Sequence, residues 1–358
     1  MAAAGIGKLR SWSEAKAAHE RRESGAAVGR SEESIREPDP VPVEGEGNDI
    51  QTTDLNPFLP NTNVQYAWDA TSIGLFKRCP RLYYYVMICG YKPRVESPHL
   101  RFGIEFHRAT EDYHKLIADG IEHEEAMFHV VKGLLYRTVD WDSEHKYKNR
   151  ETLVRTVVWW LLKRPEDNTK TRILASSGAP AIELTFNFTL DSFPLAGEGQ
   201  PYMLCGRLDR LVEFDGDILD EDYKTTTTTP GPYYWGTFDP DNQMSMYTLA
   251  AKVCYESEIK GVLITSAQIM LEGTRFTRGI TYRTQEQLDE WIKDLEIHLH
   301  EARVYAERNY WPMRDTSCDK YGGCMFRGVC SQSPQVRDMY LNDGFVKGEK
   351  WNPLKVRE

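Results

Sequence analysis

One run of residues limits this chain more than any other: GRLDRLVEFDGDILDEDYKTTT, residues 206–227. Asp215-Gly216 sits between two strand-like stretches, and an Asp-Gly pair suits a two-residue hairpin turn because both central positions need positive φ. Such a turn also dictates register. Asp209 lies six residues before Asp215, and Asp222 lies six after Gly216, so the two carboxylates face each other across the hairpin. Side chains alternate along a strand, which puts Lys224 on the face of Asp222. Opposed like charges destabilise a sheet unless something neutralises them. A divalent cation with oxygen ligands would do so. Two carboxylates, a metal and a lysine form a workable set for phosphodiester hydrolysis. The competing reading is a solvated acidic hairpin, with Asp209 tied to Arg207 or Arg210 and Asp222 tied to Lys224.

The 358 residues hold 44 Lys+Arg against 54 Asp+Glu, a net charge of −10. That balance excludes a protein that coats DNA through a generally basic surface, but leaves room for an enzyme with a locally basic channel. No apolar run is long enough to span a bilayer, and the N-terminus has no apolar block of signal-peptide length. The seven cysteines form no even framework of spacings. The expectation is a cytoplasmic protein whose cysteines are thiols or metal ligands.

Residues 1–48 lack hydrophobic periodicity and run into EPDPVPVEGEGND, the composition of a disordered tail. Residues 49–170 read as helical. The first helix is capped by Thr71 or Ser72, is broken or kinked after Cys79 by Pro80, and stops near Gly90. A second runs from about Arg101 to Gly120, followed by EEAMFHVVKGLLYRTV and RETLVRTVVWWLLKR. Residues 171–335 change character, with a strand in AIELTFNFTL, the hairpin, and a helix in QMSMYTLAAKVCYE. Strands GVLITSAQIML and FTRGITYRT, a long helix from EQLDEWIKDLEI onward and the cysteine loop CDKYGGCMFRGVC complete that part. Residues 336–358 are expected to be a tail. The order implies a mixed α/β core with helical elaboration.

The hairpin run resembles the core of the PD-(D/E)XK nuclease superfamily, in its RecB-like branch. The family's first acid falls on Asp209 and its (D/E)-x-K on Asp222-Tyr223-Lys224. Gln243-Met-Ser-Met-Tyr247 is similar to the Q-x-x-x-Y helix of that branch, and Gly103-Ile-Glu-Phe-His107 to its G-x-x-x-H helix. Glu183 falls where many members carry a further acid, and Glu111 lies one helical turn beyond His107. Leu208 stands where the family name has proline, and Asp222 where glutamate is commoner. The resemblance implies a restriction-endonuclease-like mixed sheet flanked by helices. It also implies a Mg²⁺ or Mn²⁺ site on His107, Asp209 and Asp222, with Lys224 acting on water and phosphate. Gln243 and Tyr247 would border the active site and contact the DNA backbone. A neutral imidazole is the ligand form, so metal affinity through His107 should fall below about pH 6.5.

Cys318, Cys324 and Cys330 are spaced C-x₅-C-x₅-C, which leaves a tetrahedral centre one ligand short, and Cys79 in FKRCPRLYYY can supply it. One cysteine before the core and three after it resemble the iron–sulfur members of the RecB-like branch, which implies a [4Fe–4S] cluster stapling positions 239 residues apart. Zn²⁺ is the alternative. Cys89, Cys205 and Cys254 read as core residues.

Lys77, Arg78, Arg81, Lys92, Arg94 and Arg101 form a basic cluster that would line a channel to the metal site or simply a solvated face. Tyr233, Tyr234 and Trp235 would stack on unpaired bases or anchor a loop. The Trp159-Trp160 pair reads as core. The resemblance therefore implies a Mg²⁺- or Mn²⁺-dependent deoxyribonuclease, an exonuclease on linear or single-stranded DNA ends, akin to phage and CRISPR-accessory members. Relatives work in recombination, repair and phage DNA metabolism, and a protein partner from those processes is an open expectation. The rival is a DNA-end-binding or partner-recruiting module on a nuclease fold, with structural zinc and incidental hydrolysis.

Overall fold

A computed structural model describes residues 10–14, 16–17, 56–255, 258–319 and 322–355. Most of the stretch expected to be a disordered tail lies outside these residues. Within it, strand β1 (Arg10–Ser11) is described, and Trp12 beside it is buried. Strand β2 (Ala67–Trp68) leads into helix α1 (Ala70–Arg78). The cap of α1 is not Thr71 or Ser72 but Asp69, whose side chain accepts from the Ser72 N–H at 2.9 Å. The Ser72 hydroxyl returns the bond by accepting from the Asp69 N–H at 3.0 Å, so the hydroxyl serves as the reciprocal half of a capping box. Cys79 is extended, and Pro80 opens the next short helix, α2 (Pro80–Tyr83), at its first position, where a missing N–H costs nothing. A five-residue π-helical turn, Tyr84–Ile88, continues it.

After strand β3 (Tyr91–Pro93) come helices α3 (Pro98–Ala118), α4 (His123–Arg137) and α5 (Arg150–Leu162). Strands β4 (Lys170–Thr171), β5 (Ile182–Thr189), β6 (Met203–Phe214) and β7 (Asp217–Thr226) follow. A short helix α6 (Pro232–Gly236) and helix α7 (Asn242–Cys254) precede strands β8 (Gly261–Ile269) and β9 (Thr274–Tyr282). Helix α8 (Gln285–Glu307) then leads to α9 (Arg327–Cys330), α10 (Arg337–Gly344) and β10 (Phe345–Lys347). The last two fall in the segment read as a tail. There Leu341 is buried, Phe345 stacks on Phe326 at 4.4 Å, and β10 pairs antiparallel with β3.

Among the described residues one mixed sheet of eight strands forms in the order β1-β5-β6-β7-β8-β9, with β2 and β4 also alongside β6. The β5–β6–β7 meander is antiparallel, β7 and β8 are parallel with α7 between them in sequence, and β9 returns antiparallel. All nine residues of β8 are buried, as a strand covered on both faces requires. One core cluster joins the sheet to α1, α7 and α8 through Phe76, Leu249, Leu295 and Leu299. A second joins it to α3–α5 through Phe106, Leu153, Trp160 and Tyr223. The architecture is the expected mixed sheet flanked by helices.

Candidate active site

The turn forms as its chemistry demands, with Asp215 at φ 51° and Gly216 at φ 87°. It sets the β6–β7 register at Phe214↔Asp217 through Arg210↔Glu221, where the paired ladder ends, and the next residues on the two strands, Asp209 and Asp222, lie close enough for each charge to act on the other. The Tyr223 N–H donates to Asp209 Oδ2 at 3.2 Å, closing the hairpin at that level. On the other side of β6 the ladder pairs Ile182 with Arg210 and Leu184 with Leu208, so Glu183 lies level with Asp209. Three neighbouring strands thus present Glu183, Asp209 and Asp222 in one row. Glu183 has φ 50°, a left-handed backbone that a non-glycine residue adopts at a cost of about 1–3 kcal/mol.

Helix α3 brings His107 to this row, with Nδ1 at 3.0 Å from Asp209 Oδ2. Burial alone would push the imidazole pKa down, but the Asp209 carboxylate outweighs it and holds the group above its ordinary value. The reverse holds for Asp209, where burial would raise the pKa and His107 brings it below the usual carboxylate range. Asp222 is 2 % exposed, and burial lifts its pKa despite Lys224. Lys224 Nζ forms an ion pair with the buried Asp222 Oδ2 at 2.7 Å. The ammonium also donates to Gln243 Oε1 at 2.9 Å, and Gln243 Nε2 donates to the Tyr247 hydroxyl at 2.8 Å. Gln243 and Tyr247 stand one turn apart on α7, which explains why that spacing serves to steer a lysine on the strand beneath.

Glu183 pairs with Arg207 at 3.1 Å, and burial, Glu111 and Asp209 together raise its pKa. Glu111 is itself paired with Lys115. The structure therefore gathers His107, Glu111, Glu183, Asp209, Asp222, Lys224, Gln243 and Tyr247 at one place. Of the ion pairs of a solvated hairpin, Asp222–Lys224 forms at 2.7 Å, but Asp209 takes neither arginine: Arg207 goes to Glu183, and Arg210 to Glu221 on the opposite face. Asp220 adds a further acid beside Asp222 and Asp209. It is fully buried on the Asp222 face, neither carboxylate oxygen has a hydrogen-bond partner, and burial raises its pKa well above the usual range. Strand alternation from Asp222 would have revealed it.

Among the described residues no disulfide joins any of the seven cysteines. Cys79, Cys318, Cys324 and Cys330 share one neighbourhood, where burial raises the Cys318 and Cys330 thiols and the thiols of Cys324 and Cys79 add to it. Cys79 Sγ accepts from the Arg314 N–H at 3.4 Å, and Cys318 Sγ lies 4.0 Å from the Arg314 carbonyl oxygen. Among the described residues, no group of three or more His, Cys, Asp or Glu side chains stands in metal-holding geometry, here or at the carboxylate row. Two of the four sulfurs, those of Cys79 and Cys318, thus lie against the main chain of Arg314.

A family model for the PD-(D/E)XK nuclease superfamily matches residues 67–331. The chain belongs to this superfamily. The match begins at β2, ends just after α9, and so contains the whole carboxylate row of the PD-(D/E)XK nuclease. No curated protein matches the chain. Among solved structures, the chain is similar to a protein from Eubacterium rectale provisionally described as an exonuclease, at 12 % identity and a TM-score of 0.43. That similarity covers 76 % of this chain and 92 % of the other. A second solved structure, SSO0001, is similar at 13 % identity and a TM-score of 0.26, over 65 % of this chain and 76 % of the other.

Proposed function

We propose that this PD-(D/E)XK nuclease is a Mg²⁺- or Mn²⁺-dependent deoxyribonuclease that degrades linear or single-stranded DNA from its ends. The reading is carried by the buried, mutually repelling Asp209 and Asp222 with Lys224 beside them, because neighbouring like charges destabilise a sheet unless positive charge offsets them. The donor set fits a hard cation: Asp209 and Asp222 supply carboxylate oxygens, both oxygens of the neighbouring buried Asp220 have no hydrogen-bond partner, and His107 adds a nitrogen against Asp209. His107, Asp209 and Asp222 are the residues that would hold it. Bound there, the cation supplies Lewis acidity toward the phosphate and a lowered pKa for water. Lys224, steered by Gln243, places positive charge where the phosphate becomes more negative during attack. Tyr247 holds the Gln243 amide in the orientation that presents its oxygen to Lys224.

The four gathered cysteines support a second element of the same reading, a [4Fe–4S] cluster held by Cys79, Cys318, Cys324 and Cys330, with Zn²⁺ as the alternative occupant. Soft sulfur donors alone favour iron–sulfur or zinc over harder ions. Protein purified without oxygen should be brown and contain iron and sulfide, and Cys330→Ala should lose both and unfold more easily. A colourless wild type that carries zinc would replace iron with zinc in this reading.

Catalysis is tested with end-labelled linear single-stranded DNA, comparing wild type with Asp222→Ala in Mg²⁺, Mn²⁺ or EDTA. The expected outcome is loss of label by wild type only with metal, and a rate lower by on the order of 10³-fold or more for Asp222→Ala. DNA bound but not cut by either protein would instead make the fold an end-binding module.

A further inference from the structure

The strand that carries Asp222 and Lys224 runs out into a segment unlike the rest of this acidic chain. Residues 225–238 contain no Asp, Glu, Lys, Arg or His, and open with five threonines, of which Thr227, Thr228 and Thr229 are exposed. The segment ends in α6, where three aromatics follow one another and divide their roles. Trp235 and Phe238 pack against Val262, Ile264 and Met244, with Tyr234 beside them. The Tyr234 and Ser266 hydroxyls share a hydrogen bond of 2.7 Å. Trp235 rests on Gly279, where an added Cβ would come within 2.5 Å of the indole. These anchors stand in register with the active site, since Ser266 pairs with Lys224, Ile264 pairs with Asp222, and Gly279 pairs with Ile264. Tyr233 alone faces solvent, at 88 % exposure.

A large aromatic ring in water, one step from the residue hydrogen-bonded beside Lys224, has an exposed π-face on which no ring among the described residues stacks. Every nucleobase offers a matching face, but only when unpaired. The threonine hydroxyls leading to it can donate to phosphate oxygens without the repulsion that acids would add. We propose that Tyr233 is the platform of a subsite for one unpaired base next to the scissile phosphate, so that the enzyme takes single-stranded DNA or a frayed end rather than closed duplex. This subsite rests on the nuclease reading and names its substrate class. Tyr233 touches no reacting atom, so its contribution falls on binding.

The test uses the full chain with Tyr233→Ala and Tyr233→Trp, exposed positions whose substitution leaves packing alone. Binding of a fluorescent single-stranded oligonucleotide and of a hairpin-closed duplex is followed by anisotropy in EDTA, and cleavage of the single strand is measured in Mg²⁺. Tyr233→Ala should weaken single-strand binding, or raise its KM, by about fivefold or more with little change in kcat. Tyr233→Trp should keep the wild-type value, duplex binding should not move, and a single abasic site in the probe should abolish the difference between wild type and Tyr233→Ala. A Tyr233→Ala protein that binds and cleaves the single strand like wild type would overturn the subsite and leave the nuclease standing. A wild type that neither binds nor cleaves DNA would remove both.

Discussion

Lys148 is 1 % exposed, donates to the Thr225 hydroxyl at 2.6 Å, and lies over the Phe102 ring at 4.4 Å. It makes no described ion pair, and burial lowers its pKa to about 8. An unfolded lysine titrates near 10.4. Between these values the unfolded chain holds more protons, so stability rises as pH climbs from about 8 toward 10, and the full cost of charging is felt below 8. Lys148→Met should therefore stabilise the protein at pH 7, by about 1–3 kcal/mol once the lost hydrogen bond is discounted. The gain should shrink when urea unfolding is repeated at pH 10. The cost is tolerated at Thr225, one residue beyond Lys224, where the cation ties the segment before α5 to the strand that carries the site.

Elements are joined with little tolerance at one edge of the sheet. Gly261 opens β8 where a Cβ would fall 2.1 Å from the Thr281 carbonyl oxygen and 2.9 Å from the Tyr282 Cα, both backbone atoms. Neither can swing aside as a side-chain tip can. Gly261→Ala should cost roughly 1–3 kcal/mol through a shift of β9 against β8, seen as a lower urea midpoint with unchanged slope. Most helices and strands were legible in the sequence because their apolar spacing is dictated by burial on one face. Cap identity was less so. Asp69, Thr71 and Ser72 all offer oxygens near the start of α1, and only the extended backbone of Asp69 decides which one caps.

At the scale of the molecule, a charged network on the face opposite the active site ties helix to sheet. Glu221 is fully buried and accepts from Arg210, from the Tyr223 hydroxyl at 3.0 Å and from the Thr265 hydroxyl at 2.6 Å. Arg278 on β9 lies 3.5 Å from it and pairs with Asp167 at 2.6 Å, and Asp167 also pairs with Arg164 just beyond α5. Burial alone would raise the Asp167 pKa, but its arginines bring it down to about 2. A depressed carboxylate contributes stability that is present above its unfolded pKa near 3.9 and is lost as pH falls through 2. Asp167→Asn should cost about 2 kcal/mol at pH 7, and the two proteins should converge in stability between pH 4 and 2 in an acid-unfolding series. The same network removes Arg210 from the reach of Asp209, which leaves that carboxylate to His107. No helix among the described residues is long and apolar enough to cross a membrane.

Local rules were enough to determine the hairpin. A two-residue turn admits one register, and that register opposes Asp209 to Asp222 and aligns Lys224 before any tertiary contact exists. The helical spacing of Gln243 and Tyr247 was determined in the same way. Only the tertiary structure decided which charge meets which. Arg207 and Arg210 both lie within two residues of Asp209 in sequence, yet alternation sends Arg210 to the opposite face, Arg207 answers Glu183 from β5, and α3 delivers His107 from a hundred residues away. It alone also turned Tyr233 outward while half-burying Tyr234 and Trp235. Sequence distance governs register within a hairpin, but the choice among competing ionic and aromatic partners belongs to the packing of elements remote in the chain, where burial makes one pairing favourable and leaves the others unmade.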